Sequence, residues 1–505
     1  MQDRPAQLKN YQTYIDGKWC DAASGKRLQT FDPYTGEAWA TIPECEVADV
    51  DNAVSAALRA FEGSPWAAMT QSARGKVLRR IADGIEKHAE HLAQIEVRDN
   101  GKLISEMLAQ TRYMAEWYYY YGGLADKIQG SVVPVDKPDH FAYILREPVG
   151  VCGLIVPWNS PLLITAWKLA PALAVGCTVV IKPSEYTSAS LLEFIRLVIE
   201  PVGLPPGVIN VVTGYGQAAG EPLVTHPKVA KIAFTGGSAT GSRVASLAAA
   251  SFKNISLELG GKSPNIVFDD AVMDDAVNGA ISGIFAASGQ TCIAGSRLLV
   301  QETIHDQFVE KLVATARMAK LGNPQLFDTQ VGPVTTPPQY QKVLGYIDIA
   351  KGEGARCVLG GGPAGAEIGG GKYFVQPTIF TGVKTTMRIA QEEVFGPVLS
   401  VIKFKDEEEA AQIANDVIYG LAAGVWTQSL NRATRMVRRI RAGTIWVNTY
   451  RAVSFTMPFG GYKSSGLGRE NGVEAINEYL QSKSVWINTV IGQGGNPFVL
   501  KTAVS

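Results

Sequence analysis

The chain has 505 residues, 46% of them hydrophobic and 19% charged, with Lys+Arg and Asp+Glu equal at 47 each. That length exceeds one core and implies two or three domains, while the charge balance gives no electrostatic ground for nucleic acid or an anionic membrane as partner. Six scattered cysteines without a C-x-x-C pair, and five histidines that do not cluster, argue against a metal site or a disulfide framework and for a reducing, cytoplasmic setting. The opening stretch "MQDRPAQLKNYQTYIDGKW" lacks the apolar core of a signal peptide, and no run of 18 apolar residues occurs anywhere, so a soluble protein is expected.

Taken in chain order, residues 51–98 show helical periodicity through Val54, Ala57, Leu58 and Phe61, then Leu78, Ile81 and Ile85. The aromatic run "EWYYYYGG" (116–123) reads as a helix with one face in the core and one near a substrate entrance. From about 150 short β-branched runs alternate with helical stretches: "VGVCGLIVPWN", "CTVVIKPSE", "GVINVVTG" and "KVAKIAFTGG", with helices over 186–200 and 216–226. A second series follows from about 262 to 450, with "NIVFD", "SRLLVQ", "CVLGGG", "VLSVIKF" and "AGVWTQ". Apolar strands separated by helices predict parallel sheets covered on both faces. The boundary between two α/β domains falls near 257–262. The segment "GGGPAGAEIGGGKY" (360–373) reads as a surface excursion rather than a linker.

In open α/β sheets, ligands sit at the carboxyl ends of strands. There the first series offers Pro157-Trp158-Asn159, then Lys182-Pro183-Ser184-Glu185, then Thr235-Gly236-Gly237-Ser238 opening a helix. A Gly-Gly-Ser turn at a helix N-terminus presents free N–H groups and a positive dipole end to a pyrophosphate. It also reads as an ordinary tight turn, and its G-x-x-x-x-G spacing is not the G-x-G-x-x-G fingerprint. Glu185 at the neighbouring strand end can accept both ribose hydroxyls of an adenosine.

The stretch "SGQTCIAGS" (288–296) sets Cys292 among small, polar and flexible residues. A packing thiol is usually found among aliphatic side chains; a working thiol needs access and nearby N–H groups. Cys152 and Cys177 lie in apolar runs and read as packing residues, and Cys20, Cys45 and Cys357 as incidental.

Seven motifs then stand in one order: "PWNSPL" (157–162), "KPSE" (182–185), "FTGG" (234–237), "LELGGKSP" (257–264), "GQTC" (289–292), "EEVFGPV" (392–398) and "PFGGYKSSGLGRE" (458–470). In order and spacing they resemble the NAD(P)-dependent aldehyde dehydrogenase superfamily of the hydrolytic, non-acylating type, nearly end to end. The resemblance implies a Rossmann-like dinucleotide-binding domain (1–126 and 148–257), an oligomerisation hairpin (127–147), a catalytic domain (258–477), and a C-terminal oligomerisation strand and tail (478–505). It implies NAD as cofactor, with NADP possible, and a homodimer or homotetramer acting on a small-molecule aldehyde.

Carried over residue by residue, Cys292 would attack the aldehyde to give a thiohemiacetal and later a thioester, with Asn159 and the Cys292 N–H as oxyanion hole. Glu258 would be the base for thioester hydrolysis, and Lys168 would assist proton transfer. Lys182, Ser184 and Glu185 would serve the adenosine ribose, Trp158, Gly236 and Ser238 the pyrophosphate region, and Glu393 and Phe395 the nicotinamide side. The substrate tunnel would be lined by Tyr113, Ser160, Ile164, Trp167, Phe285, Ala286, Arg451, Val453 and Phe459. Small side chains at 160, 286 and 453, where relatives acting on small aldehydes crowd aromatic rings, imply a wide channel for aromatic, cyclic or semialdehyde substrates. Tyr113 and Met114 are the residues able to refill it. Three other readings remain open. CoA-acylating relatives lack the glutamate found here at 258. A structural protein on the same scaffold would not need Cys292, Asn159 and Glu258 together. A cysteine hydrolase would need a histidine in an active-site turn.

Overall fold

The computed structural model describes residues 8–365 and 371–492, together with Ile368 and Phe498. Parts of the expected glycine-rich excursion (360–373), of the N-terminal stretch and of the C-terminal tail lie outside the described residues. The α/β class read from the alternating runs is present as two large sheets. The first has eight strands, in the spatial order 466–467, 254–258, 231–235, 151–155, 178–182, 209–211, 13–15 and 18–20. Its five central strands are parallel, and Thr178–Lys182 is buried along its whole length. An unbroken apolar run has this consequence when helices cover both faces.

The second sheet has seven strands, in the order 356–359, 378–381, 398–404, 297–301, 264–267, 422–426 and 444–447. All neighbours are parallel except the edge strand Arg356–Leu359. The chain passes from the first sheet at Glu258 to the second at Pro264. It then comes back: Gly466–Leu467 pairs antiparallel with Leu257–Glu258.

Three local features go beyond the sequence reading. The periodic region 51–98 is two helices, Val47–Gly63 and Gln71–Asn100. Pro65 follows the extended Ser64 and prevents continuation, and Thr70 restarts the helix by accepting from the Ala73 N–H. The N-terminal segment adds Thr13–Ile15 and Lys18–Cys20 to the first sheet as an antiparallel edge, too short for its alternation to stand out. The hairpin and the C-terminal strand pair within the chain: Leu480–Asn488 runs against His140–Pro148 over nine residues, and His140–Pro148 against Ser131–Val133. Among the described residues no helix is long and apolar enough to cross a membrane.

The return at Gly466 permits almost no side chain. With φ near +140°, a Cβ there would fall 1.9 Å from the Leu257 carbonyl oxygen. Gly466→Ala is expected to cost about 2 kcal/mol or more, read as a lower denaturation midpoint than that of the unmodified protein. An unchanged midpoint would mean the strand pairing contributes little.

Candidate active site

The strand Val151–Ile155 is where the first sheet reverses its winding: later strands add on one side through Thr178–Lys182 and on the other through Lys231–Thr235. Connections leaving to opposite faces open a crevice at such a point. A cleft of about 740 Å³ lies there, lined by Trp158, Lys182, Ser184, Glu185, Gly236 and Gly237 among others. It shares Pro157, Trp158, Thr235, Gly236 and Gly237 with an inner cavity of about 160 Å³. The inner cavity is lined by Asn159, Ile164, Glu258, Cys292, Glu393 and Phe395, and by Gln339 and Lys342. The two sheets present opposite ends to it. The first contributes residues following its strands, the second residues preceding them: Gly260 before Pro264, Cys292 before Arg297, and Glu393 and Phe395 before Val398.

The large cleft has the features a dinucleotide needs. Gly236 and Gly237 precede the helix Ser238–Ala249; the Gly236 N–H donates to the Glu258 carbonyl at 3.0 Å, while the N–H groups of the helix's first turn and the positive end of its dipole face the cleft wall. A side chain at 236 would strike the Phe234 ring at 2.5 Å, which keeps that turn bare. Lys182 Nζ stands 3.5 Å from the Glu185 carboxylate, and burial lowers the lysine's pKa while Glu185 opposes the shift. Thr240, Tyr215 and Arg243 also line the cleft. Ser238 lies at the start of the helix but lines neither cavity.

Cys292 is held by a strained turn. Ala287, Ser288 and Gly289 all have positive φ, an uncommon conformation for residues with side chains. Side-chain contacts hold them there: Glu106 Oε1 accepts from the Ala287 N–H at 2.9 Å, and Ser288 Oγ donates to the Gly332 carbonyl at 2.9 Å. At Gly289 a Cβ would sit 2.1 Å from the Gly396 carbonyl oxygen. The Asn159 amide donates to the Gln290 carbonyl at 3.0 Å, and Tyr450 Oη to that of Ile293 at 3.0 Å. Withdrawal from water pushes the half-buried Cys292 thiol up to about 12, and the charges of Glu258 and Glu393 push the same way.

Glu258 ends its strand buried, and neither carboxylate oxygen has a hydrogen-bond partner among the described residues. Burial and then the charge of Glu470 raise it well above the ordinary carboxylate range, with Lys168 and Arg469 opposing. Lys168 itself forms a buried ion pair with Glu470. Glu393 accepts from the Gly261 N–H at 3.0 Å, and burial raises its pKa. Phe395, at positive φ, meets Trp158 edge to face at 5.3 Å.

Of the nine expected tunnel residues, one, Ile164, belongs to the inner cavity itself. Trp167 packs on Phe459 at 4.9 Å, and Phe285 and Ala286 lead into the Cys292 turn. Tyr113 lies across the remaining side, its hydroxyl 3.5 Å from the Val453 carbonyl. Two further rings join this wall: Trp117, from the aromatic run 116–123, stacks near Trp167 at 6.1 Å, and Phe455, which carried no motif, touches Tyr113 and Trp117. Of the three small positions, Val453 has a ring beside it, that of Tyr113. Arg451 has positive φ and donates to the Ser282 carbonyl at 3.2 Å. Gln339, which donates to the Val394 and Phe395 carbonyls, and Lys342 carried no motif.

A thiol, an amide and a carboxyl facing a cavity continuous with a dinucleotide-type cleft define a nucleotide-dependent oxidoreductase. The model of the aldehyde dehydrogenase family matches residues 19–485. A (Z)-2-((N-methylformamido)methylene)-5-hydroxybutyrolactone dehydrogenase of Acinetobacter baylyi is 48% identical over 98% of this chain and 100% of its own. The mitochondrial aldehyde dehydrogenase of Homo sapiens is 46% identical over 94% of this chain and 92% of its own. A structure of betaine aldehyde dehydrogenase from Staphylococcus aureus in complex with NAD+ superimposes with a TM-score of 0.93 at 43% identity, covering 95% of this chain and 94% of that one. The chain belongs to the aldehyde dehydrogenase family. It is an NAD(P)-dependent oxidoreductase acting on the aldehyde group.

The raised pKa of Glu258 has a consequence for stability. A carboxyl that titrates higher in the folded chain than in the unfolded one costs stability as pH rises past the ordinary carboxylate range. Glu258→Gln removes that cost, so at about pH 8 the variant should denature at the same or a higher temperature than the unmodified enzyme, the difference closing near about pH 4. A lower midpoint at the higher pH would show that the carboxylate is stabilised by its surroundings.

Proposed function

We propose that the enzyme oxidises its aldehyde through a covalent adduct on Cys292 and hydrolyses the resulting thioester with Glu258 as base. The observation that carries this reading is the convergence of Cys292, Asn159 and Glu258 on one cavity that opens into the dinucleotide-type cleft. With its pKa near 12 the thiol is protonated at neutral pH, so attack on the carbonyl carbon needs a proton acceptor. Glu258, unpaired and shifted upward, is suited to take that proton and later one from water. The second N–H of the Asn159 amide and the Cys292 backbone N–H would hold the alkoxide; one such donor contributes about 3–4 kcal/mol. Lys182, Ser184 and Glu185 would hold the adenosine ribose, Gly236 and Gly237 the pyrophosphate, and Glu393 and Phe395 the nicotinamide side. When bound, NAD supplies the acceptor for the aldehyde hydride. Glu185 repels a 2′-phosphate, which favours NAD over NADP.

The reading extends to organisation and setting. The division near 257/258 gives a cofactor-binding and a catalytic domain, and the sheet built from 131–133, 140–148 and 480–488 serves a homodimer or homotetramer by covering exposed strand edges. All six cysteines are free thiols, which supports a reducing, cytoplasmic setting. Cys292→Ser is expected to abolish NADH formation while NAD binding stays within a few-fold, and kcat/KM of the unmodified enzyme should be higher with NAD than with NADP. Substantial residual turnover would show that the thiol is misassigned.

For substrate, the small side chains at 160, 286 and 453 favour a bulky aldehyde, aromatic, cyclic or a semialdehyde. The relative named for a substituted hydroxybutyrolactone supports a cyclic one. Burying a larger apolar group contributes roughly 25 cal/mol per Å², and Tyr113 and Phe455 supply the apolar surface. Arg451 would pair with a carboxylate at the far end of a semialdehyde through the guanidinium nitrogens not engaged by Ser282. A screen of aldehydes by NADH release should give higher kcat/KM for bulky members than for acetaldehyde, and Arg451→Ala should raise KM for a carboxylated substrate. Acetaldehyde as the best substrate, or an unchanged KM, would refute the respective part.

A further inference from the structure

Beside the thiol, on the substrate side, lies a buried cation that the reaction as proposed does not use. Lys102 follows the long helix Gln71–Asn100 and is 5% exposed. Its Nζ donates to Ser160 Oγ at 2.7 Å. Ser160 directly follows Asn159 and is the residue preceding the helix Pro161–Val175, yet its hydroxyl makes no capping bond to that helix. An ammonium has no acceptor capacity, so the Ser160 oxygen must be the acceptor in this pair. The serine's own hydrogen is left to donate, and no acceptor for it occurs among the described residues. Accepting from a cation polarises the hydroxyl and strengthens it as a donor.

A second unused donor stands within the helix that Ser160 precedes. Trp167, three residues beyond the cavity-lining Ile164 and so on the same helix face, has its indole Nε1 buried without a partner among the described residues, while its ring packs between Trp117 and Phe459. The opposite wall is tied to the same cluster, because Glu106 accepts from the Ala287 N–H in the turn that carries Cys292. The lysine's charge acts on both Cys292 and Arg451. Burial lowers Lys102 to about 8, with the carboxylates of Glu106 and Glu96 opposing. Keeping a lysine and an indole N–H out of water without full pairing is costly. Both groups offer hydrogens and neither offers a lone pair, so the group that satisfies them is an acceptor.

We infer that Ser160, polarised by Lys102, and Trp167 form a donor pair beside Cys292 that selects aldehydes carrying an oxygen acceptor two bonds from the carbonyl carbon. Ser160 and Trp167 touch the substrate; Lys102 acts through Ser160 and is a positioning residue. The inference rests on the assignment of Cys292 as the point of aldehyde attachment.

Methoxyacetaldehyde and butanal test it, since they have the same chain length and differ by an ether oxygen in place of a methylene. The readout is the ratio of kcat/KM for the ether over the alkyl aldehyde, followed by NADH release with the full-length enzyme. Ser160→Ala should lower this ratio about tenfold, as loss of one hydrogen bond to a polar substrate group predicts, and Ser160→Thr should retain it. Lys102→Met should lower the ratio in the same direction. A merely structural lysine would lower both kcat/KM values alike and leave the ratio unmoved, which would overturn its positioning role. A ratio unchanged within about twofold in Ser160→Ala would overturn the donor pair, whether or not Lys102→Met folds. Failure of the unmodified enzyme to oxidise the ether while it oxidises butanal would overturn this inference alone, whereas undiminished NADH formation by Cys292→Ser would overturn the underlying reading and this inference with it.

Discussion

The site depends on three backbone segments passing one another with no side chain between them. At Gly261 a Cβ would lie 2.5 Å from the Cys292 carbonyl oxygen, and at Gly260 the same distance from a Glu393 carboxylate oxygen. Gly289 meets Gly396 more closely still. These contacts bring the crossing between sheets, the thiol turn and the Glu393–Phe395 loop into one place. The positive φ values at 287–289 and 395 follow from that crowding: the chain must bend sharply to pass. At Ala287, Ser288 and Phe395, though not at Gly289, this costs about 1–3 kcal/mol each, and it persists because surrounding packing over-determines it.

Electrostatics follows from the same closeness. Segments packed this tightly exclude water, and every ionisable group they carry is shifted by desolvation before any neighbour acts on it. Lys182 falls, while Glu258, Glu393 and Cys292 rise. Lys168 and Glu470 answer the problem by pairing. Glu258 does not pair, and an unpaired carboxyl with a raised pKa is what proton transfer near neutral pH requires.

Much of this was legible in the amino-acid order, for a local reason. Asn159, Lys182, Glu185, Gly236 and Glu258 each end or follow a strand with a strong apolar signature, so the residue and its place in the sheet are written in the same few letters. Residues that reach the site from elsewhere leave no such trace. Gln339 and Lys342 come from the helix Pro337–Gly352, and Phe455 from an irregular loop. Lys102 acquires a role only because Ser160 lies next to it in space. The split at Pro65 was readable from the proline itself, but helical periodicity on both sides masked it. The short edge strands 13–15 and 18–20 owe their pairing to a sheet formed far along the chain, and so carry little signal of their own.

The return strand Gly466–Leu467 bears on how the enzyme comes into being. Its partner, the strand Asn254–Glu258, is an outer strand of the first sheet until residues from near the end of the chain arrive. During synthesis that edge emerges with unpaired N–H and C=O groups and stays so while the whole second sheet is made, a template for pairing with other chains. The cofactor sheet can thus be nearly complete early, yet the strand that ends in Glu258 is enclosed only at the last stage. Closure of the site around Glu258 and burial of this edge are one late event, and a nascent chain slowed before residue 467 would have the site open and the edge free to pair with other chains.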